Sequence, residues 1–202
     1  TVNRDVYPID EYPYGQWDYM FFYLDNFELV LDQMEEDLEK FLAITFRRPS
    51  DETLSMFNTA KGYKSPTALI TKNGGWFRQD GYKGLNTMPE IGFDEQIFSC
   101  DKAQFYIDTF KKNGLRGPNS WYMNGSKNDD YAKELGGFTP ITKPVLFIAG
   151  ENDSVLTPET NSHNAMACTN LTERSLPTGH WMAMEKPLET NKLIFDWLNS
   201  NF

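Results

Sequence analysis

The chain has 202 residues, 40% of them hydrophobic and 15% aromatic. That suits one ordinary globular domain, or one and a half small ones, and is too apolar for a disordered chain. Twenty-nine acids against 19 bases leave a net charge of −10, which excludes nucleic acid and anionic membrane surfaces as natural partners and favours a small hydrophobic ligand. No apolar run approaches the roughly 18 residues of a membrane-spanning helix. The first residues also lack the basic start and apolar stretch of a secretory leader, so the expected compartment is the cytoplasm. Two cysteines, Cys100 and Cys168, make no disulfide framework, and with only two histidines no metal site or cofactor is expected.

Residues 1–16, rich in Pro, Tyr and acids, read as an irregular leading segment, followed by the aromatic run Trp17–Leu24. Leu29, Val30, Met34, Leu38, Phe41, Leu42 and Thr45 then recur at three- and four-residue steps, with Asp32, Glu35, Glu36 and Glu39 opposite. This predicts one amphipathic helix, capped by Asp25 or Asn26 and followed by a turn at Pro49. Residues 50–100 hold Gly74-Gly75, Gly81, Gly84 and Pro89 with little periodicity. Such a long irregular stretch usually covers something functional or wraps a neighbour.

Asp101–Asn113 is predicted helical, with Phe105, Ile107 and Phe110 on or near one side and Gly114 as its stop. Ser120–Leu135 is a second predicted helix, ending at Gly136-Gly137. There the character changes. Val145–Ala149 is a short apolar strand between Pro144 and Gly150, leading through a polar loop into a helix from Pro158. Glu173–Leu176 is a weaker strand, and Pro187 opens a final amphipathic helix bearing Leu188, Ile194, Phe195, Trp197 and Leu198.

The reading is an α/β chain in two parts: residues 1–140, mostly helical, and residues 141–202, alternating strand and helix. Parallel sheets need central strands and cover on both faces, so two strands are an edge and not a whole sheet. The rest of the sheet is expected upstream, and the chain by itself is not expected to be a stable monomer.

The chemistry centres on two loops. Asp153, in VLFIAGENDSVLTP, sits in a loop just past a buried strand, where an α/β sheet presents functional groups. Alone, it and Glu151 would pass as ordinary loop acids or helix caps. His180, in TGHWMAMEKP, follows the next strand in a glycine-containing turn. One loop–helix–strand crossover separates the two, which places them on adjacent loops at one end of the sheet. A histidine held by a carboxylate is a general base with its tautomer set. His163 lies on the intervening segment without such a setting and reads as a surface residue.

These two loops resemble the acid and histidine loops of the α/β-hydrolase superfamily, and of its soluble epoxide hydrolases in particular. QWDYMFFY (Gln16–Tyr23) resembles the first helix of their lid, and FYIDTFKKNGLRGPNSWYMN (Phe105–Asn124) the lid segment ending in a Trp-Tyr-x-Asn motif. The resemblance implies the C-terminal portion of an α/β-hydrolase fold: a helical lid over residues 1–140 and the last two strands and helices of the core over 141–202.

It implies an epoxide hydrolase in which Tyr19 and Tyr122 donate to the epoxide oxygen and the Asp153–His180 pair activates water. Tyr23, four residues from Tyr19, rivals it for the first role; Tyr12 and Tyr14 are weaker rivals. Nearness to these groups makes Trp17, Met20, Val155, Leu156 and Trp181 the candidate lining of an apolar substrate tunnel. The family's nucleophilic aspartate and its oxyanion hole find no counterpart here, and an upstream segment, covalent or separate, is expected to supply them. Dehalogenation or ester hydrolysis on the same scaffold, or a non-catalytic interaction module, are the alternatives.

Overall fold

The computed structural model describes residues 2–51, 65–75, 91–137, 139–156 and 164–202. The chain divides into two compact units: Val2–Arg47 with Lys64–Asp130, and Arg48–Tyr63 with Tyr131–Phe202 and the first residue.

The first unit is helical. The aromatic run folds as α1 (Asp18–Asp25), entered through a 3-10 turn at Gly15–Trp17. The amphipathic run that follows is two helices rather than the single one expected, α2 (Phe27–Glu36) and α3 (Leu38–Thr45). Asp37 breaks it: its backbone leaves the helical region (φ −140°, ψ 79°) and its side chain accepts a hydrogen bond from the Lys40 amide. A short acid that can satisfy a free N–H in this way starts a new helix at little cost. Asn26 occupies the N-cap position of α2, but its side chain turns back and donates to the Phe22 carbonyl.

The hydrophobic spacing continues across the break, so Val30, Leu31, Met34, Leu38, Leu42 and Ala43 are all buried. Against α3 packs α4 (Cys100–Asn113), which buries Ala103 and Ile107, one helical turn apart. Phe105, expected on or near one side with Ile107 and Phe110, is 68% exposed. Phe98, fully buried just before α4, stacks on Phe46 with 5.2 Å between ring centroids.

At the end of α4 the chain turns through Gly114 (φ 70°), and the Leu115 amide donates to Glu35 Oε1 of α2 at 2.6 Å. A β-carbon at Gly114 would lie 3.3 Å from that same oxygen, so glycine serves both the left-handed turn and the close approach. The segment expected as one helix over Ser120–Leu135 is a 3-10 turn at Ser120–Asn124 followed by α6 (Gly125–Glu134), with the short α5 (Arg116–Asn119) ahead of it. Gly136 and Gly137 end it, both at positive φ.

The second unit carries a two-stranded parallel sheet. β1 (Val145–Gly150) pairs with β2 (Leu171–Leu176) in the register Val145↔Leu171 through Gly150↔Leu176. The second strand thus begins two residues before the expected Glu173. The short α7 (Asn164–Ala167) precedes β2, and α8 (Met182–Glu185) and α9 (Pro187–Asn201) follow it. The helix expected from Pro158 lies outside the described residues, as do Gly81, Gly84 and Pro89 of the irregular stretch.

All six residues of β1 are only half-buried. Among the described residues of this unit the fully buried ones are Asp153, Thr178, Gly179 and Thr190, none of them a large hydrophobe. The apolar residues of α9 are not one buried stripe either: Leu188 is 80% and Phe195 65% exposed, while Trp197 is half-buried. No helix among the described residues is long and apolar enough to cross a membrane.

Candidate active site

In the second unit, pairing of β1 with β2 brings their following loops side by side. Beyond the last register pair the lacing continues: the Glu151 amide donates to the Leu176 carbonyl and the Asn152 amide to the Thr178 carbonyl, each at 2.9 Å. Gly150 permits this, because a β-carbon there would lie 2.4 Å from the Gly179 carbonyl oxygen. Only a residue without a side chain lets the two loops approach so closely.

Asp153 emerges from the first loop almost entirely buried, 5% exposed. Its Oδ1 accepts from the amides of Val155 and Leu156 at 2.8 and 3.0 Å. Its Oδ2 lies 2.8 Å from Nδ1 of His180. Burial pushes this carboxyl up, but the His180 hydrogen bond and the two amides outweigh it and hold it below the usual carboxylate range. The acid is therefore ionised at neutral pH and can only accept, so Nδ1 of His180 carries the proton. Nε2 is left with its lone pair free to take a proton from another molecule.

The same hydrogen bond raises the imidazole above its ordinary value; burial opposes it, and the charges of Asp153 and Glu185 reinforce it. The His180 side chain is 44% exposed, and the Trp181 ring meets it edge-to-face at 5.1 Å. A carboxylate-held base with an accessible lone pair can activate water.

The first unit gathers three phenols. Tyr19 on α1 and Tyr122 in the Ser120–Asn124 turn meet edge-to-face at 5.6 Å, and Tyr23 meets Tyr19 at 5.7 Å and Tyr122 at 5.1 Å. Burial first, then repulsion from and a hydrogen bond with Tyr122, push the Tyr19 phenol up to about 12. It stays a protonated donor throughout the physiological range. The start of α1 is pinned by Asp18, 7% exposed, whose carboxylate accepts from the Thr71 amide at 2.7 Å and the Thr71 hydroxyl at 2.9 Å. Of the rivals, Tyr23 joins the cluster and is 3% exposed. Tyr12 instead packs against Tyr7 and beneath the Lys72 ammonium, and Tyr14 stacks on Phe21 at 3.8 Å.

No family model matches the chain. It is 30% identical over 171 residues to bifunctional epoxide hydrolase 2 of Sus scrofa, covering 83% of this chain and 27% of that protein. With the Mus musculus protein of the same name it shares 32% over 183 residues, 87% of this chain and 30% of the relative. Among solved structures, a variant of potato epoxide hydrolase superposes with a TM-score of 0.64 at 18% identity, covering 99% of this chain and 59% of that one. A Vigna radiata epoxide hydrolase variant does so with a TM-score of 0.61 at 21% identity, covering 98% and 58%.

The chain is related to the epoxide hydrolases, and its fold is the C-terminal portion of an α/β-hydrolase. It spans under a third of the length of these curated relatives. In this α/β-hydrolase portion, β1 and β2 carry Asp153 and His180 on the loops at their carboxyl ends.

Of the residues that sequence position singled out as lining, Trp17, Met20, Val155 and Trp181 are half-buried and Leu156 is 39% exposed. His163 falls outside the described residues. Among the described residues no cluster of three or more His, Cys, Asp or Glu could hold a metal ion. Sequence reasoning passed over Gly150, Asp18 and Glu185. The last accepts from the Gly179 amide at 2.9 Å and the Trp181 amide at 3.3 Å, on either side of His180. An acid five residues beyond a candidate base, and one helical turn beyond the Trp181 that follows it, was the available signal.

Proposed function

We propose that this chain is the lid and C-terminal lobe of an epoxide hydrolase, with residues 1–140 as the lid and residues 141–202 completing the core. Tyr19 and Tyr122 donate hydrogen bonds to the oxygen of a small hydrophobic epoxide. An aspartate from an upstream segment, covalent or separate, attacks one ring carbon; the C–O bond breaks, and the oxygen takes a proton from a lid phenol. The product of this half-reaction is an alkyl-enzyme ester.

His180 Nε2 then takes a proton from water, and the hydroxide attacks the ester carbonyl. The imidazolium, stabilised by Asp153, gives that proton to the departing alkoxide, which leaves as the diol; the carboxylic acid so formed on the nucleophile returns its proton through solvent to the lid phenolate, restoring both groups. Trp17, Met20, Val155, Leu156 and Trp181 line the apolar path of the substrate. The need for an upstream half is supported by the C-terminal unit, whose described residues include no fully buried large hydrophobic side chain.

The observation that supports the reading is the edge-to-face contact of Tyr19 with Tyr122, 5.6 Å between ring centroids, and the hydrogen bond between their phenols. Hydrolysis of a carboxylic ester or an alkyl halide does not release its oxygen or halide to such a pair. The test is diol formation from a hydrophobic epoxide by the full-length protein, run beside an ester and an alkyl halide. Epoxide opening should dominate and should vanish in the Tyr19→Phe/Tyr122→Phe double variant. Undiminished opening by that variant would remove the ground for this reading.

A further inference from the structure

We infer that Glu185 is a positioning residue for His180, clamping the backbone on both sides of the imidazole. The single turn of α8 is closed by the Met184 and Glu185 amides donating to the Trp181 carbonyl at 2.8 and 2.9 Å. It folds the Glu185 side chain back over the loop that precedes it. Its two oxygens then divide: Oε2 accepts from the Gly179 amide at 2.9 Å and Oε1 from the Trp181 amide at 3.3 Å. The residue between those amides is His180. The carboxylate thus ties down the chain one residue before and one residue after the base.

Gly179 is itself buried. A β-carbon there would lie 2.7 Å from Pro49 and 3.2 Å from Glu185 Oε1, so the clamp closes on a packed strip of backbone that no larger residue could occupy. Held at Nδ1 by Asp153 and through its own backbone by Glu185, the ring of His180 has a set direction for Nε2, as a general base requires.

A purely structural clamp would stop there; this one also brings charge. Asp153 and Glu185 are the two acids whose charges act on the imidazole, and both favour its protonated form. The role as a positioning residue in catalysis rests on the reading of His180 as the water-activating base, but the clamp can be measured without turnover.

Amide hydrogen exchange at Gly179 and Trp181, and the titration of His180 by NMR, should be followed in the full-length protein and in Glu185→Gln, Glu185→Ala and Glu185→Asp. The alanine variant should exchange about tenfold faster at both amides, the loss of one hydrogen bond at each. The glutamine variant, with one acceptor oxygen in place of two, should do so at one of them. His180 should titrate lower in Glu185→Gln and Glu185→Ala, and near its wild-type value in Glu185→Asp, which keeps the charge.

Unchanged exchange at both amides in the glutamine variant, or an unchanged His180 titration there, would overturn the inference, whether or not the alanine variant folds. If both change but the full-length protein opens no epoxide, the clamp stands and the functional reading fails.

Discussion

Oδ2 of Asp153 lies 2.8 Å from Nδ1 of His180, and the other carboxylate oxygen is already occupied by the Val155 and Leu156 amides. The acid therefore cannot swing away from the ring without breaking two backbone hydrogen bonds. It also cannot be neutral at physiological pH, because every partner favours its charged form against the cost of burial. Asp153→Asn should supply an amide that can present its N–H to the ring and trap the wrong tautomer. Hydrolysis of the alkyl-enzyme ester should slow by on the order of 10⁴-fold, as for the corresponding change in a serine protease triad. Pre-steady-state kinetics on the full-length protein would show ester formation spared and its decay lost; equal loss of both steps would contradict the assignment.

On the proposed mechanism His180→Gln should leave the first half-reaction intact, because alkylation of an upstream aspartate would use no base. Intact-mass measurement after adding an epoxide should show the nucleophile-bearing polypeptide heavier by one substrate. Turnover at the normal rate would show that His180 is not the general base.

Each lid phenol should contribute separately. Tyr19→Phe or Tyr122→Phe keeps the ring and its edge-to-face packing but removes one donor to the developing alkoxide. Such a loss typically costs about 2.7–4 kcal/mol; with the second phenol still present, the lower end, about a hundredfold in epoxide opening, is expected. Tyr23 shares the cluster and is 3% exposed; Tyr23→Phe, which likewise keeps its ring, should cost less than about tenfold in epoxide opening. In Tyr122→Phe the remaining Tyr19 should ionise below its value of about 12, since both influences of Tyr122 raise it while burial persists. Ultraviolet difference titration would read this directly.

The pH response follows from the acid–histidine pair. On the proposed mechanism ester hydrolysis needs neutral His180, so its rate should rise with pH through an inflection above the ordinary imidazole value of 6.5 and then level off. For stability the signs are opposite for the two partners. The raised His180 contributes stability that is fully present below 6.5 and lost as pH rises through its higher folded value. The lowered Asp153 contributes stability present above 3.8 and lost as pH falls through its lower folded value. Both describe one contact and are counted once. Rapid-quench measurement of ester decay across pH checks the first statement; an inflection at or below 6.5 would refute it.

Gly150→Ala should separate the loops that carry Asp153 and His180. Its β-carbon would be 2.4 Å from the Gly179 carbonyl oxygen, which is backbone and must shift. A cost of about 1–3 kcal/mol in stability is expected, as for other overpacked sites, with a larger loss in ester hydrolysis than in ester formation. Thermal unfolding together with the two half-reaction rates would separate these effects.

The sequence alone determined that the run after α1 is helical with one buried stripe, because hydrophobic spacing at three and four residues survives any tertiary arrangement: Val30, Met34, Leu38 and Leu42 are buried as that spacing requires. It also determined that Asp153 and His180 stand on successive loops at one sheet end, since a strand–loop–helix–strand crossover allows little else. Tertiary structure decided what lies between residues distant in the chain. That Tyr23 joins Tyr19 and Tyr122 while Tyr12 and Tyr14 pack elsewhere depends on a turn more than a hundred residues from Tyr19, and no local pattern reports it. The break at Asp37 depends on one side chain choosing the Lys40 amide over solvent. The bracing of His180 by Glu185 depends on a single helical turn folding back, a choice made by hydrogen bonds to backbone amides, which every residue but proline carries and which leave no mark on composition or periodicity.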